Sequence, residues 1–479
     1  MNNKTLTIKA NIMNKLFSTT LITLALSACT ATDNTNVNAS NNSIPNNSHN
    51  SPKNIIMVVG DGMGPAYTTA YRYFNDNPET KVIEETIFDR HLVGMASTYP
   101  ARVSGFVTDS AAAATALSTG VKSYNGAIGV DVDKKPIETV LEWAKKQGKK
   151  AGVVVTSQVN HATPASYLAH NENRRNYNAI ADSYIDDGIK ADVILGGGWQ
   201  YFIREDRNLV NEFTSAGFHY LDNPKGLSSL PQEKPVLGLF ADDGLPWALD
   251  DSNKHRLLTM TQAATTQLEN NDGYFLLVEA SQIDWAGHGN DIAAAMAEMA
   301  DLAKTMEYLE NYVKNNPDTL VVLTADHSTG GFTIAAEGKY EWNPEVLRTM
   351  KRSPHNIAKK LAAKDITIKE TSKLLNFKVT QAEIRLLQQA KYQASEQLVK
   401  FYALDESAQQ QQVKPSIETT IYIAVKKLID KRTNSGWTSN GHTAVDVPVF
   451  AFGKNSEMFS GKIDNTEIAK NIFTLLGKK

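Results

Sequence analysis

Cysteine is almost absent from this chain of 479 residues: Cys29 is the only one, so no intramolecular disulfide can form and no Cys-based metal cage is available. Proline is also sparse at 16, and long apolar runs are missing after the first thirty residues, which argues against collagen-like, low-complexity and polytopic membrane classes. There is no excess of positive charge: 49 Lys and Arg stand against 52 Asp and Glu, a formal charge of −3, which excludes the basic character of most nucleic-acid binders. What remains, 42% hydrophobic residues, is enough for a large buried core.

The N-terminal end is compositionally distinct. Lys4, Lys9 and Lys15 precede an apolar stretch from Leu16 to Leu26 that closes on Leu26-Ser27-Ala28-Cys29. This is the layout of a secretory leader, too short and too broken by Ser and Thr for a mature spanning helix. L-S-A-C resembles a bacterial lipobox, so residues 1–28 are expected to be a cleaved signal peptide and Cys29 the site of lipid attachment to a bacterial membrane. Loss of residues 1–28, which hold three Lys and no acid, would take the formal charge from −3 to −6. Residues 29–53, rich in Asn and Ser with Pro45 and Pro52, read as a flexible tether to an exported, periplasmic or cell-surface domain spanning 54–479.

Short apolar, β-branched runs then recur with helix-like segments between them: Ile55 to Val59, Gly152 to Val155, Val193 to Leu195, Tyr274 to Val278, Leu320 to Leu323 and Val449 to Phe452. Continuous rather than alternating hydrophobicity predicts strands buried on both faces, hence an α/β three-layer sandwich with a large, mostly parallel sheet. Residues from about 337 to 434, charged and helix-patterned between Glu383 and Lys400, predict a helical insertion capping the sheet, with Gln409 to Gln412 as an exposed connection.

Ligands of such sheets bind beyond the carboxyl ends of the strands. Acids and imidazoles collect there: Asp61 in Gly60-Asp61-Gly62-Met63-Gly64, Glu279 with Asp284 and His288, and Asp326-His327. G-x-G-x-G lacks the G-x-G-x-x-G spacing of dinucleotide sites, so these glycines are read as a sharp bend aiming Asp61 inward. Asp284 and His288, four apart, share one side of a helical turn. Thr108-Asp109-Ser110 leads into an alanine-rich helix, placing Ser110 at a helix N-terminus suited to phosphate, although Ser there can equally be a plain cap.

Together D-G-M-G, T-D-S-A-A-A-A-T, H-A-T-P-A, V-E-A-S-Q-I-D-W-A-G-H, T-A-D-H-S and G-H-T, spread over residues 53 to 453, make the chain resemble the alkaline phosphatase family. The resemblance implies hydrolysis of phosphate monoesters through a covalent phosphoserine at Ser110, with two Zn²⁺ and one Mg²⁺. It implies that Asp284, His288 and His442 hold one zinc, that Asp326, His327 and Asp61 hold the second beside Ser110, and that Asp61, Thr163 and Glu279 hold the magnesium. Arg174 falls where the family clamps phosphate. His161 and Trp285 stand where the best-known bacterial pattern has Asp and Lys, which makes both candidates for the surroundings of the magnesium and phosphate sites. Homodimers are a further property that the resemblance implies. A sulfatase is disfavoured because Ser110-Ala111-Ala112 lacks the C/S-x-P-x-R context; a diesterase on the same scaffold and a non-catalytic phosphate-binding lipoprotein are the other readings.

Overall fold

The computed structural model describes residues 51–478; the signal peptide, Cys29 and residues 29–50 of the tether lie outside the described residues. Ten strands form one sheet: β1 Asn54–Val59, β2 Leu92–Ser97, β3 Lys150–Gln158, β4 Val193–Gly197, β5 His219–Leu221, β6 Val236–Leu239, β7 Tyr274–Glu279, β8 Thr319–Thr324, β9 Val447–Gly453 and β10 Gly461–Asp464. Their spatial order is β10-β2-β9-β8-β1-β7-β3-β4-β6-β5. Every neighbouring pair is parallel except β9 with β2 and β9 with β8, so β9 alone runs against the other nine.

All six apolar runs lie in strands of this sheet, and the central β1, β7 and β8 are buried at every position. That is the reason for their unbroken hydrophobicity: helices cover both faces, so neither side of the pleat meets water. One face carries the helices Ser110–Thr119, Val140–Lys146, Ala162–Leu168 and Asn465–Leu475, which pack on one another; Pro65–Asn75, Arg256–Leu268 and Ile292–Asn315 pack together as a second group. The architecture is the three-layer α/β sandwich expected.

Between about 337 and 434 the chain forms helices, among them Pro354–Ala362, Gln381–Tyr402 and Ile417–Thr433, and the last packs against the first two and against Ile292–Asn315. The expected exposed connection at Gln409 to Gln412 is in part a short helix, Glu406–Gln410, because Asp405 caps it by accepting from the Ala408 N–H. Among the described residues no helix is long and apolar enough to cross a membrane.

Candidate metal centre and nucleophile

The carboxyl ends of β1, β7 and β8 lie side by side, and the turns after them deliver Asp61, Glu279 with Asp284 and His288, and Asp326 with His327. After Val59 the chain bends through Gly62, whose φ of +72° is left-handed. A Cβ there would approach the Asp284 Cα to 2.7 Å, so the bend that aims Asp61 inward also needs a residue without a side chain. The Gly62 N–H donates to Asp326 Oδ1 at 3.0 Å, tying the first turn to the third.

Asp284 and His288 lie on the helix Gln282–His288, with Asp284 Oδ2 3.4 Å from His288 Nε2. His442 reaches the same place, its Nε2 3.1 Å from His288 Nε2 and 3.7 Å from Asp284 Oδ1. These three form a group with ligand atoms spaced for one ion. Beside it, His327 Nε2 lies 3.0 Å from Asp326 Oδ2, 3.5 Å from Asp61 Oδ1 and 3.1 Å from Ser110 Oγ. Asp61, Asp284 and His327 form a second group, and Asp61, His161 and Glu279 a third. Thr163 sits buried at the start of the Ala162–Leu168 helix, its hydroxyl without a partner.

The histidine tautomers follow from their neighbours. His288 Nδ1 lies 2.6 Å from the Asn440 carbonyl and His442 Nδ1 2.8 Å from the Thr108 carbonyl; a carbonyl only accepts, so both Nδ1 atoms carry the proton. Thr329 spends its one hydroxyl proton on Asp284 Oδ1 at 2.5 Å and accepts from His327 Nδ1 at 3.2 Å. In their neutral form all three rings therefore turn the Nε2 lone pair towards the cluster, the form that binds metal, whereas in the metal-free chain His327 Nε2 faces Asp326 Oδ2 at 3.0 Å and carries a proton that a cation would displace.

His161 differs. Its Nε2 lies 3.3 Å from an Arg174 guanidinium nitrogen, which only donates, so Nε2 accepts and Nδ1 is buried without a partner. Trp285 stands edge-on to this imidazole with ring centroids 6.0 Å apart. Arg174 is held at the site by a second contact, 3.1 Å to Asp109 Oδ2. Asp109 rather than Ser110 caps the Ser110–Thr119 helix, accepting from the Ala112 N–H, which leaves Ser110 Oγ free for chemistry. The plain-cap alternative for Ser110 is thereby replaced: the cap is its neighbour.

Burial sets the protonation of this cluster in the metal-free chain. Asp61 is held well above the usual carboxylate range by desolvation, then by the charges of Asp326, Asp284 and Glu279. Glu279 is pushed up to about 7, again chiefly by burial. Desolvation, and then the charge of His327, lowers His442 to about 4; desolvation and then Arg174 lower His161 to about 3. His327 moves the other way, because Asp326 and Asp284 outweigh its burial, and Asp326 is correspondingly depressed.

A cation answers a specific deficit here. Both oxygens of Asp61, Glu279 Oε1, Asp326 Oδ2 and Thr163 Oγ1 are buried without hydrogen-bond partners. An ionised carboxylate buried without a partner costs several kcal/mol, which is why Asp61 and Glu279 retain protons in the metal-free fold while Asp326 is ionised against His327. Oxygens with imidazole nitrogens suit Zn²⁺, and the oxygen-only remainder, Asp61, Glu279 and Thr163, suits Mg²⁺. The donor set fits the ions that the sequence implies.

Such a sheet edge, with clustered carboxylates and imidazoles beside a serine hydroxyl, defines a metal-binding hydrolase built on an α/β sandwich. The family is narrower: residues 52–478 match the alkaline phosphatase family, and the chain belongs to it. Its members are phosphomonoester hydrolases, and so is this enzyme. It is 46% identical over 433 residues to alkaline phosphatase 3 of Bacillus subtilis (strain 168), covering 88% of this chain and 89% of that protein. Among solved structures it is similar to the cold-active alkaline phosphatase of a psychrophilic Shewanella sp., at 49% identity and a TM-score of 0.80 over 88% of this chain and 99% of that one. The alkaline phosphatase of the Antarctic bacterium TAB5 is more distant, at 25% identity and a TM-score of 0.63 over 89% and 98%. Two variants of the TAB5 enzyme, with one histidine changed to Glu or Asp, are described with Mg bound in the M3 site.

Proposed function

We propose that this phosphatase works through a covalent phosphoserine on Ser110, with two Zn²⁺ and one Mg²⁺. Asp284, His288 and His442 would hold one zinc, Asp61, Asp326 and His327 the other, and Asp61, Thr163 and Glu279 the magnesium. When bound, the cations polarise the serine oxygen and stabilise charge on the departing one. The observation that carries this reading is the convergence of unpartnered buried oxygens and imidazole Nε2 atoms beside one hydroxyl, with Ser110 Oγ 3.1 Å from His327 Nε2.

The residues then divide the work. Ser110 Oγ gives its proton to solvent and attacks phosphorus in line as the bond to the alcohol oxygen breaks, and the alkoxide leaves with a proton from water. In the second half a water oxygen bonds to phosphorus from the vacated side, the P–Oγ bond breaks, and the proton that this water gives up restores the Ser110 hydroxyl. Arg174, steadied by Asp109 and His161, presents a planar fork to two equatorial oxygens, a geometry that Lys lacks. The N-terminal N–H groups of the Ser110–Thr119 helix add partial positive charge on the same side.

The TAB5 variants bear on His161. Placing an acid where that enzyme has a histidine accompanies Mg in its M3 site, and here His161 stands beside Asp61 and Glu279 with Nε2 engaged by Arg174. We read His161 as a rim residue of the magnesium site and Trp285 as the ring that shelters it.

Ser110→Ala tests the nucleophile: hydrolysis of p-nitrophenyl phosphate falls to background while zinc content persists. Activity retained by that variant, or a strong preference of the wild type for bis-p-nitrophenyl phosphate, would sink the reading. We extend the proposal to an exported lipoprotein on the sequence of residues 1–29 alone; mass spectrometry of the membrane-bound protein should find a lipid-modified Cys29 at its N-terminus.

A further inference from the structure

The three ion sites differ in how the protein encloses them. Asp61, Glu279, Asp326 and His327 are fully buried, whereas the His288 side chain is 42% exposed and sits at the open end of the short helix Gln282–His288. An exposed imidazole competes with water and with its own rotamers, and its affinity for a cation depends on whatever fixes the ring. The carbonyls at that helix end also lack intrahelical partners.

Both needs are met from the far side of the chain. Lys426, on the helix Ile417–Thr433, donates to the Gly289 carbonyl immediately after His288. Asn440 holds His288 twice, accepting from its Nδ1 at 2.6 Å and donating to its carbonyl at 3.3 Å. Tyr422 donates to Asp291 Oδ2 at 3.2 Å, and Asp291 caps the next helix through the Ala294 N–H. Gly289 leaves no room for a side chain, since a Cβ would meet the Tyr422 hydroxyl at 2.8 Å. Lys426 also faces the buried Asp291 and the half-buried Asp430, and the Trp437 indole N–H donates to Asp430 at 3.1 Å. The contact is therefore a packed, charge-matched junction rather than a loose touch between surface helices.

We propose that the Ile417–Thr433 helix is a clamp on His288, with Tyr422 and Lys426 as positioning residues that set how long a cation stays in the Asp284–His288–His442 cluster. The inference rests on the reading that this cluster holds a divalent ion. The clamp grips one cluster of the three, because Asp61, Glu279 and Asp326 are seated by the β1, β7 and β8 turns and, among the described residues, their hydrogen bonds run to Gly62, Ser157 and His327 and not to the insertion. Changing the clamp should therefore loosen one metal and leave the rest.

The test uses the full-length chain loaded with zinc and magnesium. Wild type, Tyr422→Phe, Lys426→Met and a control on the outer face of the insertion, Tyr402→Ala, are titrated with a graded chelator while retained metal is measured by atomic emission. The expected result is that the most labile zinc leaves Tyr422→Phe and Lys426→Met at about tenfold higher free-zinc concentration, the cost typical of losing a group that orients a ligand. The other metals and Tyr402→Ala should follow wild type, and added zinc should restore turnover. Should Lys426→Met fail to fold, Tyr422→Phe, which lacks a single hydroxyl, decides alone. Unchanged release of the labile zinc from folded variants overturns the clamp, as does equal loosening of every metal; a wild type that binds no zinc overturns the ion assignment beneath it.

Discussion

Removing the metals should make this protein's stability decline more steeply with rising pH between about 6.5 and 8, the interval in which its buried acids exchange protons. In the metal-free fold Glu279 is pushed from 4.5 to about 7, and Asp61 lies well above its ordinary value. A raised carboxyl binds its proton in the folded state after the unfolded chain has lost it, so stability declines as pH climbs towards and through the folded pKa. The full separation for Glu279 corresponds to roughly 3 kcal/mol, of which about 1 kcal/mol falls within the chosen interval. Asp61 adds to it with the same sign, and so does His327, whose folded pKa is raised. His161 and His442 act oppositely, since their folded values of about 3 and about 4 make the unfolded chain the better proton binder; within the interval they offset roughly 0.4 kcal/mol each, so the net decline rests on Asp61 and His327 acting with Glu279. Urea unfolding in excess chelator at the two ends of the interval measures the difference directly. With zinc and magnesium restored, the carboxylates would be ionised by their cations and the decline should shrink to that of groups outside the cluster such as Asp430, which burial pushes up to about 7. A metal-free midpoint that stays level or rises with pH would refute the placement of these acids in one uncompensated cluster.

Arg174→Lys should raise KM and weaken inhibition by inorganic phosphate by roughly 10- to 100-fold, since a point charge cannot make the paired contacts of the fork; equal inhibition constants for both proteins would count against the clamp on phosphate. His161→Asp exchanges a neutral ring for an anionic oxygen beside Asp61 and Glu279, so magnesium affinity measured by calorimetry should rise and turnover should change. Identical magnesium titrations would remove His161 from that site. Gly62→Ala meets both a left-handed φ and the Asp284 backbone at 2.7 Å, and should cost about 2–4 kcal/mol in unfolding while lowering retained metal. A variant as stable as wild type would show that the bend tolerates a side chain.

The layered fold was readable in the sequence because burial on both sheet faces writes itself as uninterrupted runs such as Ile55 to Val59 and Leu320 to Leu323. The acids were readable because they follow those runs directly, at the edge where parallel sheets bind ligands. What escaped is what leaves no residue-type signature. The carbonyls of Thr108 and Asn440, which set the tautomers of His442 and His288, are backbone atoms common to every residue. Thr329, which serves Asp284 and His327 at once, lies in a T-A-D-H-S-T stretch where nothing marks its hydroxyl. Asp109 could have been found: an Asp immediately before an alanine-rich helix is a strong cap signal, and recognising it frees the adjacent serine from that duty.

The strand rule does not by itself explain His442, which precedes its strand instead of following one. The explanation lies in the direction of β9, the one strand opposed to the rest. In a sheet whose other strands all end at one edge, the beginning of an antiparallel strand lies at that same edge. His442 therefore arrives beside Asp284 and His288 from the opposite direction along the chain, and pairs with Thr329 in a short antiparallel bridge on the way. Reversing that strand is what lets the 435–446 segment leave the insertion, pass His288 at Asn440 and deliver a third ligand within a few residues. The insertion and the exposed ion site are thus consecutive along the chain, and a covering element whose exit carries a ligand cannot shift without moving that ligand.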